Sequence, residues 1–161
     1  MTKIRVTHWL VRATCMALGL GAVLGIIIGI DALGSPTTSP VLGTITVLIY
    51  LAIGAAAVGL WFGEELGLRA TRVLLIAQVP IVQSTSFSYL FYTGASFLIY
   101  VGSEFGLNGF IGSAYVLQVH PHGTSSAGYL VGVNLLAIAM LTILSRVDLM
   151  PFSSSPPPPF K

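Results

Sequence analysis

The sequence contains very little charge. Only 7% of its 161 residues are Asp, Glu, Lys or Arg, whereas soluble domains carry about 25%. With 55% apolar residues and a mean hydropathy of +0.91, the chain cannot cover a compact body with enough polar surface to stay in water. The same composition argues against intrinsic disorder, because disordered chains are poor in apolar residues. We therefore predict an integral membrane protein, with the lipid bilayer as its main partner.

Basic residues and cysteine are equally scarce. Seven Lys and Arg residues and a net charge of +2 are too few for a nucleic-acid-binding patch. The single Cys15 cannot form an internal disulfide, and its apolar surroundings predict an inert thiol. The sequence also lacks a glycine-rich phosphate loop, a Cys-x-x-Cys pair and a nucleophile elbow. We predict no catalytic residue and no cofactor.

The apolar stretches predict three transmembrane helices, at about 9–30, 41–63 and 128–145. Each contains the roughly 20 apolar residues that a helix needs to cross a bilayer. Lys3 and Arg5 before the first stretch resemble the start of a signal peptide, but its apolar core exceeds the about 7–15 residues of such a peptide. A short polar turn joins the first two helices, which predicts an antiparallel helical hairpin.

Residues 84–119 predict β-structure. Ser84, Ser86 and Ser88 alternate with aromatic residues, which is the period of a strand. Thr93-Gly94 and Asn108-Gly109 are plausible turns, so we favour an aromatic-rich, three-stranded antiparallel meander. Open sheet edges are not tolerated in hydrocarbon, which predicts a position at the membrane surface. The sequence EELGLRATRVLLIAQ before it predicts an amphipathic connecting helix.

An alternative is a four-helix transmembrane bundle with a third span at about 76–101. This topology places all seven Lys and Arg residues on one side of the membrane, as the positive-inside rule favours, whereas three spans leave Arg146 and Lys161 opposite the others. Both topologies predict a cytoplasmic N terminus, and we expect the plasma (inner) membrane.

Small residues recur every four positions in the first two predicted helices. This spacing allows two helix backbones to approach closely in lipid. We favour packing of the first helix on the second, with a homo-oligomer interface as the alternative. The helix-packing residues are Ala17, Gly21, Gly25, Gly29, Ala55, Gly59 and Gly63.

His120-Pro121-His122 is the one cluster of metal-capable side chains. In an extended segment both imidazoles would point the same way, yet two ligands do not make a site, and Asp31 and Glu104 stand at no recognisable spacing. A solvated loop is therefore the favoured interpretation. Asn134 is expected to hydrogen-bond a neighbouring helix rather than a substrate.

The sequence predicts one membrane domain over residues 1–150 and a flexible Pro/Ser-rich tail over 151–161. The predicted function is that of a small non-catalytic accessory, assembly or scaffold component. It would act through helix packing, by self-association or with other membrane proteins. The alternatives are an oligomeric small-solute channel or carrier and a metal-assisted membrane enzyme using His120 and His122.

Overall fold

A computed structural model describes residues 9–34, 39–102, 105–119 and 128–146. These residues form helices and one antiparallel sheet. In chain order the elements are α1 (Trp9–Gly34), α2 (Pro40–Trp61), α3 (Glu65–Ala77), β1 (Pro80–Gln83), β2 (Phe87–Gly102), β3 (Phe105–Val119), β4 (Leu130–Asn134) and α4 (Leu135–Ser145).

Helices α1 and α2 form where the sequence predicts the first two spans. They have 26 and 22 residues, each with a mean hydropathy of 2.3 in its most apolar window, and are long and apolar enough to cross a membrane. Helix α2 ends at a glycine: Gly63 adopts φ +72°. Its N–H donates to the Leu60 carbonyl (3.0 Å), and the Glu64 N–H donates to the Gly59 carbonyl (2.9 Å). This pair of bonds closes the helix and leads directly into α3.

The third predicted span, 128–145, is wrong as a single helix. Residues 130–134 form strand β4, and α4 has only 11 residues, about 16 Å of helix against a bilayer core of about 30 Å. Val131 and Val133 favour extended backbone, and β4 pairs with β1 on one edge and β2 on the other. The Asn134 side chain then starts α4 as its N-cap.

The prediction of antiparallel β-structure after Ser84 is confirmed, but its division into a three-stranded meander is wrong. Residues 87–102 and 105–119 form two long strands, β2 and β3, which pair without interruption from Phe87 with Val119 to Val101 with Phe105. The dipeptides predicted as turns lie inside these strands. Gly94 and Gly112 have positive φ angles of +83° and +140° and are paired with each other. They bend the hairpin at its middle, and we call this pair the bend.

The alternative helix at 76–101 is likewise absent, since β1 and most of β2 occupy that range. The sheet has the order β1-β4-β2-β3, and β1 also pairs with β2. Strand β1 pairs with β2 before the bend, at Tyr89, and β4 pairs with β2 after it, from Leu98. Because β1 and β4 also pair with each other, the two halves of β2 fold toward one another.

The core lies where the helices meet the bend. Leu18 of α1, Tyr50 and Ile53 of α2 and Leu75 of α3 are buried there with Phe91 of β2. Before the bend, the odd-numbered side chains of β2 therefore face the helices, and the even-numbered ones face the space between the two halves of the hairpin.

Substitution Gly94→Ala tests the bend. Its Cβ would collide with the Ala17 carbonyl oxygen, and φ +83° is strained for alanine. We expect a loss of at least about 2 kcal/mol of stability, or about 5 °C in Tm, measured by thermal unfolding in detergent. Gly109→Ala is the control, because its Cβ would meet only ordinary contacts, the nearer 3.8 Å away. Equal Tm values for the two variants would contradict the bend.

Candidate functional site

The bend is held against α1 by backbone contact. Gly21 lies at the middle of α1, and a Cβ there would collide with the Gly94 nitrogen. A Cβ on Gly94 would in turn collide with the Ala17 carbonyl. Glycine at both positions therefore allows a helix and a strand to touch backbone to backbone.

Two hydroxyl groups extend this contact. The Ser113 hydroxyl donates to the Gly21 carbonyl over 2.6 Å, and the Thr93 and Ser113 hydroxyl oxygens lie 3.1 Å apart. Thr93 and Ser113 are paired across β2 and β3, next to the bend. Both residues are buried, so this polar chain joins the hairpin to α1 by direct hydrogen bonds.

Two side-chain amides fill the gap that β1 and β4 leave along β2. The Gln78 side-chain oxygen accepts from the Thr93 N–H (3.2 Å), and the Asn134 side-chain oxygen accepts from the Phe97 N–H (3.2 Å). The Asn134 oxygen also accepts from Leu136 and Ala137 at the start of α4. These amides satisfy backbone donors on the edge of β2 opposite β3, at positions where neither β1 nor β4 pairs with it. We call Gln78, Thr93, Ser113 and Asn134 the bend cluster.

Several polar atoms around the bend are buried without a partner among the described residues. They are the Tyr50 hydroxyl, the Gln78 and Asn134 side-chain nitrogens and the Ser96 hydroxyl. None of these groups is a carboxylate, imidazole or ammonium. These groups can therefore exchange hydrogen bonds with an uncharged group or with water.

A cavity of about 410 Å³ lies between the two halves of the folded hairpin. We call the floor the apolar part of its lining made by Leu90, Leu98 and Val116, toward the bend. Tyr92 and Phe110 stack nearby with ring centroids 5.9 Å apart, which joins the two halves across the bend. We call this space the sheet cavity; the other residues that line it are Ile81, Val82, Gln83, Ser88, Tyr89, Tyr100, Asn108, Phe110, Gln118 and Leu130.

The predicted packing stripe has several different neighbours. Gly25 and Gly29 lie against α2, where a Cβ would collide with the Tyr50 ring or lie 2.7 Å from the Val47 side chain. Ala17 and Gly21 instead meet the bend of the sheet. The remaining residues of the stripe behave differently again: Gly59 approaches Gly67 of α3, Ala55 is exposed and Gly63 closes α2.

His120, His122 and Glu104 lie outside the described residues, and Asp31 is exposed in the last turns of α1. Over the ranges that the structure does describe, no three His, Cys, Asp or Glu side chains come together as a metal site would require. Asn134 contacts a strand and the start of its own helix rather than a neighbouring helix. The sequence analysis did not identify Gln78 and Ser113 as site residues. Their only signal in the sequence is that each is a polar residue among apolar neighbours.

No protein-family model, curated protein or solved structure matches this chain. Its function is therefore inferred from its own geometry.

The hydrogen bonds of the bend cluster predict that the side-chain amides of Gln78 and Asn134 stabilise the fold. Gln78→Leu and Asn134→Leu would each leave a buried backbone N–H without its acceptor, at a cost of about 1–3 kcal/mol. Asn134→Leu would cost more, because it also removes the N-cap of α4. Gln118→Leu makes the same chemical change at an exposed side chain and should leave Tm within about 1 °C. Thermal unfolding in detergent should therefore give the lowest Tm for Asn134→Leu, a higher one for Gln78→Leu and the highest for Gln118→Leu. Equal Tm values for the three variants would refute the prediction.

Proposed function

We propose that the chain is an integral membrane protein without catalytic activity that acts as an assembly component, associating through the outer edge of β3. The observation that carries the association is the length and neutrality of this edge. Strand β3 spans 15 residues without a charged side chain, and no described strand pairs with its outer side. Membrane insertion rests on separate observations.

The exposure of α1 and α2 supports insertion into lipid. A core helix of a soluble protein is mostly buried, whereas only 39% and 28% of the apolar windows of these helices are buried. Their outward side chains are large and apolar, including Leu20 (66% exposed) and Leu48 (59%). A cleaved signal peptide does not suit α1 either, because Leu18 is 1% exposed in the core. Loss of α1 would open that core.

Two further segments have the length of a membrane crossing. Laid end to end, α3 and β1 would extend about 33 Å, from about 1.5 Å per helical residue and about 3.3 Å per strand residue, and β4 and α4 would give the same sum. Each changes from helix to strand near the bend cluster, at Gln78 and at Asn134. Irregular backbone at membrane depth is tolerated where protein covers it. We propose that these segments form third and fourth crossings, each composed of a helix and a strand, in place of the helical third span that the sequence alternative predicted.

The charges support this topology. The Arg12 guanidinium lies 5.6 Å from the centroid of the Trp61 ring, which joins the start of α1 to the end of α2. Arg72 of α3 donates to the Leu144 carbonyl (2.5 Å) near the end of α4, where Arg146 follows. The described arginines thus gather at one end of the helices, as the positive-inside rule expects of the cytoplasmic side.

Cysteine labelling tests the topology. Ser125→Cys and Ser155→Cys provide one reporter in each of two segments, and native Cys15 is buried. With four crossings, a membrane-impermeant maleimide should label Ser155→Cys from the cytoplasmic side and Ser125→Cys from the opposite side. Three crossings would give the reverse result. Labelling of both cysteines from the same side would refute both the three-crossing and the four-crossing topology.

The hydrogen bonds of β2 identify the free groups of β3. The Thr93 N–H points away from β3 toward Gln78, so Thr93 and Ser113 form a non-hydrogen-bonded pair. Ser113 and every second residue along β3 therefore direct their N–H and C=O groups to the outer edge. Large apolar side chains flank this edge, among them Ile111 (93% exposed) and Val119 (72%).

An edge of this kind favours a strand partner. Soluble proteins protect edge strands with lysine, proline or bulges, and β3 contains none of the three. Unpaired backbone groups are still more costly in lipid. We propose a second copy of this chain as the partner. Two antiparallel β3 strands carry no charged side chains that could repel each other, and their pairing would extend one sheet across both chains.

Leu117→Pro tests the edge. Leu117 is an odd-numbered residue, so proline removes an outward N–H and leaves the bonds to β2 in place. We expect self-association in liposomes, measured by energy transfer between labelled copies, to weaken at least about tenfold, or about 1.4 kcal/mol. Leu117→Val keeps the N–H and should associate like the native chain. Undiminished transfer in Leu117→Pro would refute β3 pairing, as would a chain that is monomeric without any substitution.

The channel or carrier alternative retains one supporting observation. The unpartnered amide nitrogens of Gln78 and Asn134 lie at the changes from helix to strand, and transporters place substrate sites at such interruptions. The amide oxygens already serve as caps within the fold, so the structural role explains the presence of both residues. Measurement of solute flux through reconstituted liposomes distinguishes the two functions. Liposomes that leak a defined solute would favour the channel or carrier, and tight liposomes would count against it.

A further inference from the structure

We infer that the sheet cavity is a binding site for a neutral single-chain lipid, with an uncharged hydroxyl-bearing head and one acyl chain. The cavity volume of about 410 Å³ falls in the about 300–1,000 Å³ range of small-molecule pockets. This site is separate from the β3 edge, and it rests on the proposed insertion into the membrane, which would supply the lipid.

The polar side of the cavity is a row of three side chains. Gln83 of β1 is paired with Ser88 of β2, and Ser88 is paired with Gln118 of β3. All three line the cavity, so two amides and a hydroxyl stand side by side across three strands. On the other half of the hairpin, the Asn108 side chain donates to the Tyr100 hydroxyl (2.9 Å). These groups match the hydroxyl and ester oxygens of a lipid head.

The floor of the cavity is apolar. Leu90, Leu98 and Val116 lie deeper than the polar row, toward the bend. An acyl chain is the complementary group, because it can contact these apolar side chains and requires no hydrogen-bond partner. The polar row of the cavity could therefore bind the head of a lipid while the floor contacts its acyl chain.

The lining also indicates the charge of the ligand. Among the residues that the structure describes, none that lines the cavity is Asp, Glu, Lys, Arg or His. A carboxylate or phosphate brought there would lose hydration without gaining a countercharge, which is costly. The site therefore favours an uncharged head over that of a fatty acid anion or a phospholipid.

Photo-crosslinking tests the proposal with the full chain in lipid nanodiscs. The probe is a monoacylglycerol with a diazirine in its acyl chain, and mass spectrometry locates the cross-links. We expect cross-links in the segments that form the floor, and competition by unlabelled monooleoylglycerol at least tenfold stronger than by oleate at pH 9. Cross-links spread evenly over the outer faces of α1 and α2, or equal competition by oleate, would overturn the proposal.

Two variants make the test specific to the cavity. Val116→Trp fills the floor and should lower cross-linking at least fivefold, whereas Leu117→Trp adds the same ring to the opposite face of the same strand and should not. Gln118→Leu removes one polar group of the row and should weaken competition by monooleoylglycerol several-fold, even if Val116→Trp fails to fold. Native behaviour of both Val116→Trp and Gln118→Leu would overturn the site. Cysteine labelling tests the membrane placement separately.

Discussion

The fold depends on one requirement, that every backbone donor and acceptor find a partner where a strand is bent against a helix. At the bend, β2 leaves β1 behind and has not yet reached β4, so its outward amides have no strand beside them among the described residues. Gln78 and Asn134 supply the missing acceptors, and Ser113 joins the same region to the Gly21 carbonyl. The sheet cavity and the changes from helix to strand at Gln78 and Asn134 all lie around this bend.

Backbone contact at Gly21 and Gly94 explains why the bend can lie so close to α1. Any side chain at either position would hold the helix and the sheet apart, and the hydroxyl bonds of the bend cluster would then be too long to form. Small residues in membrane proteins are usually discussed as contacts between helices. Here the same device allows a helix to approach a strand.

The sequence allowed prediction of those elements whose signals are local. Long apolar runs predicted α1 and α2, and a pattern of charged and apolar residues predicted α3. The period-two pattern after Ser84 indicated strands, but Gly94 and Asn108-Gly109 also suit turns, so one hairpin was divided into three strands. Only the pairing of Gly94 with Gly112 and the contact with α1 show that this glycine bends a strand without ending it.

The candidate site was less predictable, because its contacts join residues that are distant in sequence. Gln78 accepts from a residue 15 positions later, and Asn134 accepts from one 37 positions earlier. Nothing near either amide in the sequence indicates a strand edge to be capped. The glycine spacing of α1 predicted close packing, but spacing alone does not distinguish α2, which meets Gly25, from the sheet, which meets Gly21.

The bond from Ser113 to the Gly21 carbonyl has a consequence for biosynthesis, because it joins residues 92 positions apart. At a translation rate of about 5–20 residues per second, the ribosome needs roughly 5–18 s to make the intervening chain. During that interval the groove on α1 that later receives the hairpin is vacant, while α1 and α2 can already pair. The hairpin therefore docks on a helical pair that has already formed, and until then the α1 backbone at Gly21 lacks the strand that later covers it.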